Sequence, residues 1–396
     1  MAGLTKQIGA VTAMNIRTIP QRGWMSFASV MAVALAVSVL LFFLALANGL
    51  TKTIAGAGSN DVAIVLRDGS EAEINSTVTR DQLQVLAAMP GVVQRNGHPF
   101  ASGELMVIVD GKKRGAENVT ANMPFRGISP DGVALRHTVH ITQGRMFTPG
   151  TNEIVVGAGL LREFSGFELG KVIRLRGTDW RVVGVFSAPG SAFESELWAD
   201  VSLLQSLFDR GDSFQTVRLQ MASPRAVEAL KAAVKNDPRL HLVAYGEREY
   251  FERQANASGS GLVRIAWILG IVMAIGALSG ALNTMYSSVA ARSAEIATLR
   301  IIGFSGLAAF IGTMAEALIL SAIGGMVGVA LSYALFNGRT TSTLGAGFTQ
   351  LVFQFQFSAG VIVGAIVLAL VIGLLGGFLP GIRAARVRPN LELAAQ

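Results

Sequence analysis

The chain has 396 residues, of which 51% are hydrophobic and only 15% charged, with a mean hydropathy of +0.49. Against a usual charged fraction of about 25%, this excludes a disordered chain and argues against an ordinary soluble enzyme. Cysteine is absent, which excludes a disulfide scaffold, a Cys-ligated zinc or iron–sulfur centre and a cysteine nucleophile. The net charge is +7, yet residues 50–260 carry 23 basic and 23 acidic side chains. All the excess therefore flanks apolar runs, which points to a membrane rather than to nucleic acid.

In chain order, residues 1–22 form a basic segment with Lys6, Arg17 and Arg22. Residues 23–50 follow without a charge and read as a first membrane span. Ala45-Leu46-Ala47 resembles a signal-peptide cleavage site, but a signal h-region is only about 7–15 residues long, so the run reads as a retained span. Residues 51–260 read as a mixed α/β domain with a stalk. Alternating patterns over 61–66, 105–109, 153–156, 172–176 and 180–186 predict strands. Helical patterns run over 79–89, 202–208 and 224–234, and 61–240 is the expected globular part. Residues 245–254 are a charged helical stretch, followed by Ser258-Gly-Ser-Gly261 as a link to the second span. That span is 262–290, a third is 306–337 and a fourth is 357–382; each meets the length of roughly 20 apolar residues that a crossing helix needs. Residues 291–305 and 338–356 join them, and 383–396 form a tail. Lys and Arg crowd the flanks of 1–22, 291–305 and 383–396, so both termini and 291–305 are expected in the cytoplasm and 51–260 and 338–356 outside.

Catalytic motifs are weak. Gly166-Phe-Glu-Leu-Gly170-Lys171-Val172 has three residues between its glycines and no hydroxyl after the lysine, so it cannot cradle a phosphate as a Walker A loop does. His137 and His140 read as ordinary histidines. No catalytic, cofactor-binding or metal-ligating residue is assigned. Gly276-x-x-x-Gly280 and Gly324-x-x-x-Gly328 permit close helix approach, within the chain or to a second copy. Phe353-Gln-Phe-Gln-Phe357 alternates with period two and suits an interfacial strand or a lip at the outer leaflet.

The stronger signal is Arg292-Ser-Ala-Glu295-Ile296-Ala-Thr-Leu299-Arg300-Ile-Ile302-Gly303. Ile296, Leu299 and Ile302 share one helical face and Gly303 is placed to stop the helix. A short amphipathic helix between two spans suits docking into a groove of a soluble partner, or lying on the membrane surface. Glu316 is the one carboxylate inside a span, and an ionised carboxylate in hydrocarbon is costly. A cation near the cytoplasmic side is expected as its partner: Arg17, Arg22, Arg292, Arg300 or Arg383.

The 292–303 segment resembles the coupling helix of MacB/FtsX-type ABC transporter permeases, with Ala297 where those have glycine. Pro380-Gly-Ile-Arg383-Ala-Ala-Arg386-Val-Arg-Pro389 is similar to their C-terminal ending, and Asn15-Ile-Arg17 to their start. Glu316 with Gly324, Gly325 and Gly328 is similar to their third span, and Gly144-Arg-Met-Phe147, 153–156 and 180–198 to their extracytoplasmic domain. The resemblance implies an α-helical membrane protein of four spans, with a large mixed α/β domain between the first two. It implies a permease dimer, with a second copy or a paralogue, and two copies of a cytoplasmic ATPase that carries ATP and Mg, contacted through Arg292, Glu295, Ile296, Leu299, Arg300 and Gly303. It places the chain in the bacterial inner membrane and leaves room for a periplasmic adaptor. Since this sequence has no ATP-binding motif, a separate ATPase subunit is implied, and the chain itself is not expected to be an enzyme. The work done is export or extraction of a substrate from the periplasm or outer leaflet. The alternative is a non-transporting scaffold, like the cell-division member, that activates a cell-envelope hydrolase.

Overall fold

A computed structural model describes residues 3–344 and 350–387. The elements in chain order are α1 (Leu4–Thr18), α2 (Gly23–Ala55), β1 (Val62–Arg67), α3 (Arg80–Ala87), β2 (Gln94–Arg95), β3 (His98–Pro99), β4 (Ala101–Lys113), β5 (Ala116–Ile128), α4 (Pro130–Ala134), β6 (His140–Gly144), β7 (Glu153–Gly157), α5 (Ala158–Glu163), β8 (Val172–Leu175), β9 (Thr178–Ser187), β10 (Leu197–Asp200), α6 (Val201–Leu207), β11 (Thr216–Gln220), α7 (Pro224–Asn236), β12 (Leu242–Gly246), α8 (Glu247–Ala291), α9 (Ser293–Ile301), α10 (Gly306–Phe336), β13 (Thr340–Leu344), β14 (Gln350–Gln354) and α11 (Ala359–Ala385). The chain divides into two compact units: Met1–Asn48 with Ser260–Arg339 and Phe355–Gln396, and Gly49–Gly259 with Thr340–Gln354.

The second unit is built on a sheet of order β12-β1-β11-β4-β5-β10-β7-β9-β6, with β8 on β9. Most neighbours are antiparallel; β5–β10 and β7–β9 are parallel. Because side chains alternate across a strand, the register sorts them cleanly. Val65, Val217, Leu219, Leu105, Val107, Phe125 and Leu197 lie on one face, in apolar clusters closed by Leu204 of α6 and Leu230 of α7. Arg218, Glu104, Arg126 and Trp198 lie on the other face, and they too are buried. Local chemistry sets the helix starts. Thr79 and Gln82 form a reciprocal capping box at α3, and Ser223 caps α7, which carries Pro224 in its first turn.

The bounds expected for this unit are corrected. A globular part ending at 240 would lose β12, which pairs with β1 along Ala63–Arg67. Tyr245 belongs to that strand, so the helical stretch starts at Glu247. Ser258-Gly-Ser-Gly261 is no linker but part of α8: a Cβ on Gly259 would stand 2.2 Å from Thr51 Cγ2, so the small residue permits a close approach to α2. The aromatic alternation near 353 is a strand, as one of its two readings had it. Residues 350–354 pair with 340–344 in a hairpin, Phe353 is buried, and the backbone N–H of Val352 donates to Ser195 Oγ at 2.9 Å. Gly49 lies under this hairpin, where a Cβ would meet the Gln354 carbonyl at 2.1 Å.

Among the described residues, four helices are long and apolar enough to cross a membrane. Small residues let them close on one another, since lipid offers no hydrophobic drive for helix association. Gly324 and Gly328 of α10 approach the Val30 and Ala34 carbonyls of α2, while nothing lies within 4 Å of a Cβ on Gly276. The N-terminal segment is itself helical. α1 packs against α10, and a 3₁₀ turn over Ile19–Arg22, carrying Pro20, separates it from α2.

Candidate functional site: the coupling segment

α9 is a helix of nine residues between two apolar helices, with Arg292 at its N-cap and Ile302 at its C-cap. Gly303 takes φ +100°, a left-handed conformation that ends the helix at little steric expense only because it is glycine. Arg292 does not face outward. Its side chain is 3% exposed and is paired with the Glu316 carboxylate of α10, itself 5% exposed. The guanidinium also donates to Asn15 Oδ1 at 2.7 Å, Thr18 Oγ1 at 3.2 Å and Ser288 Oγ at 3.0 Å. Ser288 Oγ donates to Glu316 Oε1 at 3.2 Å, and Arg22 donates to Ser288 Oγ at 2.6 Å. Of the five cations that could have met Glu316, Arg292 makes the ion pair and Arg22 joins through Ser288.

Ile296 also points inward, packing with Val289, Ala309 and Ala384. This corrects the docking face read from periodicity. The exposed side of the segment carries Glu295, Thr298, Ile301 and Ile302, the last two 58% and 66% exposed, while Leu299 is half-buried. The apolar residues of α9 nearly encircle so short a helix, so their pattern could not say which side the bundle takes. Arg300 likewise works internally, donating to the Ala385 carbonyl at the C-terminal end of α11, where unpaired carbonyls and the helix dipole favour a cation. Pro380 is buried inside α11; Arg383 lies over the Tyr286 ring at 5.7 Å, and Arg386 is the exposed C-cap of that helix. Pro389 lies outside the described residues. The structure thus gathers Arg292, Glu316, Arg300 and Ile296 into the support of the segment and leaves Glu295 with the exposed face. Asn15, Thr18 and Ser288 had no assigned contact in the sequence.

A second buried network, wholly missed from sequence, lies in the other unit. Arg126 pairs with Glu196 by two bonds of 2.7 Å and with Glu73 and Glu104 at 2.7 and 2.9 Å. Arg136 grips Glu104 by two bonds of 2.7 Å. Arg218 reaches Glu73 at 3.0 Å, Glu104 at 3.2 Å and, closely, Glu247 at the start of α8. Phe193 lies over this face, 4.6 Å from the Arg136 guanidinium. Burial pushes the Glu104 carboxyl up, but Arg136, Arg218 and Arg126 together outweigh it and hold it down at about 2. Burial and the like charge of Arg218 pull Arg136 below the usual arginine range. The arrangement is structural chemistry, with every ion paired. It ties the 3₁₀ turn Glu73–Asn75, the sheet and the start of α8 together.

Comparison with known proteins decides the family. The profile described as MacB-like periplasmic core domain matches residues 26–237, and that described as FtsX-like permease C-terminal matches 267–389. The chain belongs to the MacB/FtsX-type ABC transporter permease family. Among individual proteins it is 23% identical over 374 residues to the macrolide export ATP-binding/permease protein MacB of Bdellovibrio bacteriovorus, covering 84% of this chain and 56% of that one. It is 25% identical over 341 residues to an uncharacterized ABC transporter permease, YknZ, of Bacillus subtilis, covering 76% and 83%. The chain thus spans about half the length of the MacB relative. Among solved structures, the extracellular domain of YknZ from Gram-positive bacteria aligns with a TM-score of 0.36 at 17% identity, over 46% of this chain and 99% of that one. Membership of this permease family, with four apolar helices, indicates a multi-pass inner-membrane protein.

Proposed function

We propose that this chain is the permease subunit of an ABC transporter, in which a cytoplasmic ATPase moves the 292–303 segment and so drives the extracytoplasmic domain to export or extract a substrate. Two ATPase copies carrying ATP and Mg, and a second permease copy or paralogue, complete the assembly; a periplasmic adaptor fits the same scheme. Both termini and the coupling segment lie on the cytoplasmic side, in line with the crowding of Lys and Arg beside them. The observation that carries the reading is the mechanical character of the segment. One side presents Glu295, Ile301 and Ile302, while the other is fixed to the helices by Arg292, Glu316 and Arg300. The MacB-like core matched in the outside domain favours transport over a regulatory scaffold.

The test uses the permease purified with its ATPase in nanodiscs. Glu295→Arg and Ile302→Glu alter only the exposed side, so each should retain membrane insertion and thermal stability but lose ATPase co-purification and permease-dependent ATP hydrolysis. Arg300→Glu is a poor probe, since it would break the bond to Ala385. Binding and stimulated hydrolysis at wild-type levels in both surface variants would overturn the reading.

A further inference from the structure

We propose that α1 is a brace that holds the coupling segment at both of its ends, with Gln7 and Asn15 as positioning residues; the inference rests on the function proposed above. Gln7, Val11 and Asn15 recur at every fourth position and so form one stripe along α1. At the far end of the segment, the Ser305 backbone N–H donates to Gln7 Oε1 at 3.1 Å, and Gln7 Nε2 donates to the Gly303 carbonyl at 3.4 Å. At the near end, Arg292 donates to Asn15 and Thr18. Between these two grips, Val11 is buried, and it stands against Gly312 of α10, where a Cβ would lie 2.8 Å from Val11 Cγ1.

The lengths agree. Eight positions from Gln7 to Asn15 span ~12 Å of helix, and the nine residues of α9 span ~13 Å, so one helix can hold the other at its two ends. The grips also differ in kind. Asn15 holds a charged side chain already committed to Glu316, whereas Gln7 bonds backbone groups of Gly303 and Ser305 at the turn. Tilting α9 therefore requires α1 to move with it, or one grip to open. A segment held at both ends moves as a unit, and that is what transmission of ATPase movement requires.

The experiment measures amide hydrogen exchange of residues 293–305 and permease-stimulated ATP hydrolysis on the nanodisc complex. Gln7→Ala should speed exchange mainly at 302–305 and Asn15→Ala mainly at 293–297. Each should reduce stimulated hydrolysis about fivefold, the scale of one lost hydrogen bond to a charged or end-of-helix group, while ATPase still co-purifies. Asn15→Asp keeps the acceptor for Arg292 and should restore both readouts. Unchanged exchange in both alanine variants would overturn the brace. Faster exchange with full stimulation would overturn the positioning role. If the wild-type complex shows no stimulation at all, the functional reading fails, and the exchange pattern alone then decides whether the brace exists.

Discussion

The Arg292–Glu316 pair lends itself to a double-mutant cycle. Removing one member of a buried ion pair leaves an uncompensated buried charge and typically costs about 3–5 kcal/mol. The lower end applies here, because Glu316 keeps the Ser288 hydroxyl at 3.2 Å and Arg22 sits on that same hydroxyl. Arg292→Met should therefore lose about 3 kcal/mol, and Glu316→Leu, which strands the arginine with only Asn15, Thr18 and Ser288, a similar amount. The double variant strands neither member of the pair, so its loss should be about 1–2 kcal/mol rather than the sum of the two. At about 2–4 °C per kcal/mol, the single variants should melt some 6–12 °C lower and the double variant about 2–8 °C lower than the parent. Thermal unfolding in nanodiscs, followed by tryptophan fluorescence, reads all three. A double variant whose loss equals the sum of the singles would show that the two groups are not coupled and would refute the assignment.

The outside domain should lose stability in acid through Glu104. Its folded carboxyl lies at about 2 against 4.5 unfolded, so its contribution is fully present above pH 4.5 and disappears as pH falls through that window; about 3 kcal/mol is at stake, and Glu104→Gln should flatten the acid limb of stability against pH. Gly49→Ala would place a methyl 2.1 Å from the Gln354 carbonyl, and the hairpin must shift. A loss of about 1–3 kcal/mol, with faster amide exchange at residues 351–353, is the expected result.

What could be read in the sequence and what could not follow one physical line. The membrane helices were legible because lipid demands long apolar runs with few charges, as in 23–50 and 262–290. β1 and β7 were legible as short runs rich in Val and Ile, and β9 because Trp180 and Val182 alternate with Arg181. The burial of both faces of β5 and β11 was not, because Arg126 and Arg218 sit at the positions where a solvent-facing residue belongs in a half-buried strand. The second face of the sheet is covered too, and nothing within a single strand says so. The same holds at the coupling segment. The need of Glu316 for a cation follows from its place in an apolar run, but the choice of Arg292 over four other arginines depends on where α8 breaks. Helix α1 was hidden because its holding groups are amides and hydroxyls, which carry no periodic apolar signal.

The two buried networks share one element. α8 begins with Glu247, which accepts the Ser59 backbone N–H at 3.0 Å and pairs with Arg218; its last turn carries Ser288, and Arg292 follows at the break. Between these ends the helix is mostly apolar, and apolar contacts with lipid or neighbouring helices have little directional preference. Such a surface can rotate or slip at small expense. Ions with fixed hydrogen-bond geometry cannot, because a slip of one residue would bury unpaired charges at a loss of several kcal/mol. Apolar packing would have been a cheaper way to stabilise either unit, since buried ion pairs are weak contributors to stability as such. Their value here is in register: each network fixes the rotation and axial position of the end of α8 that it holds.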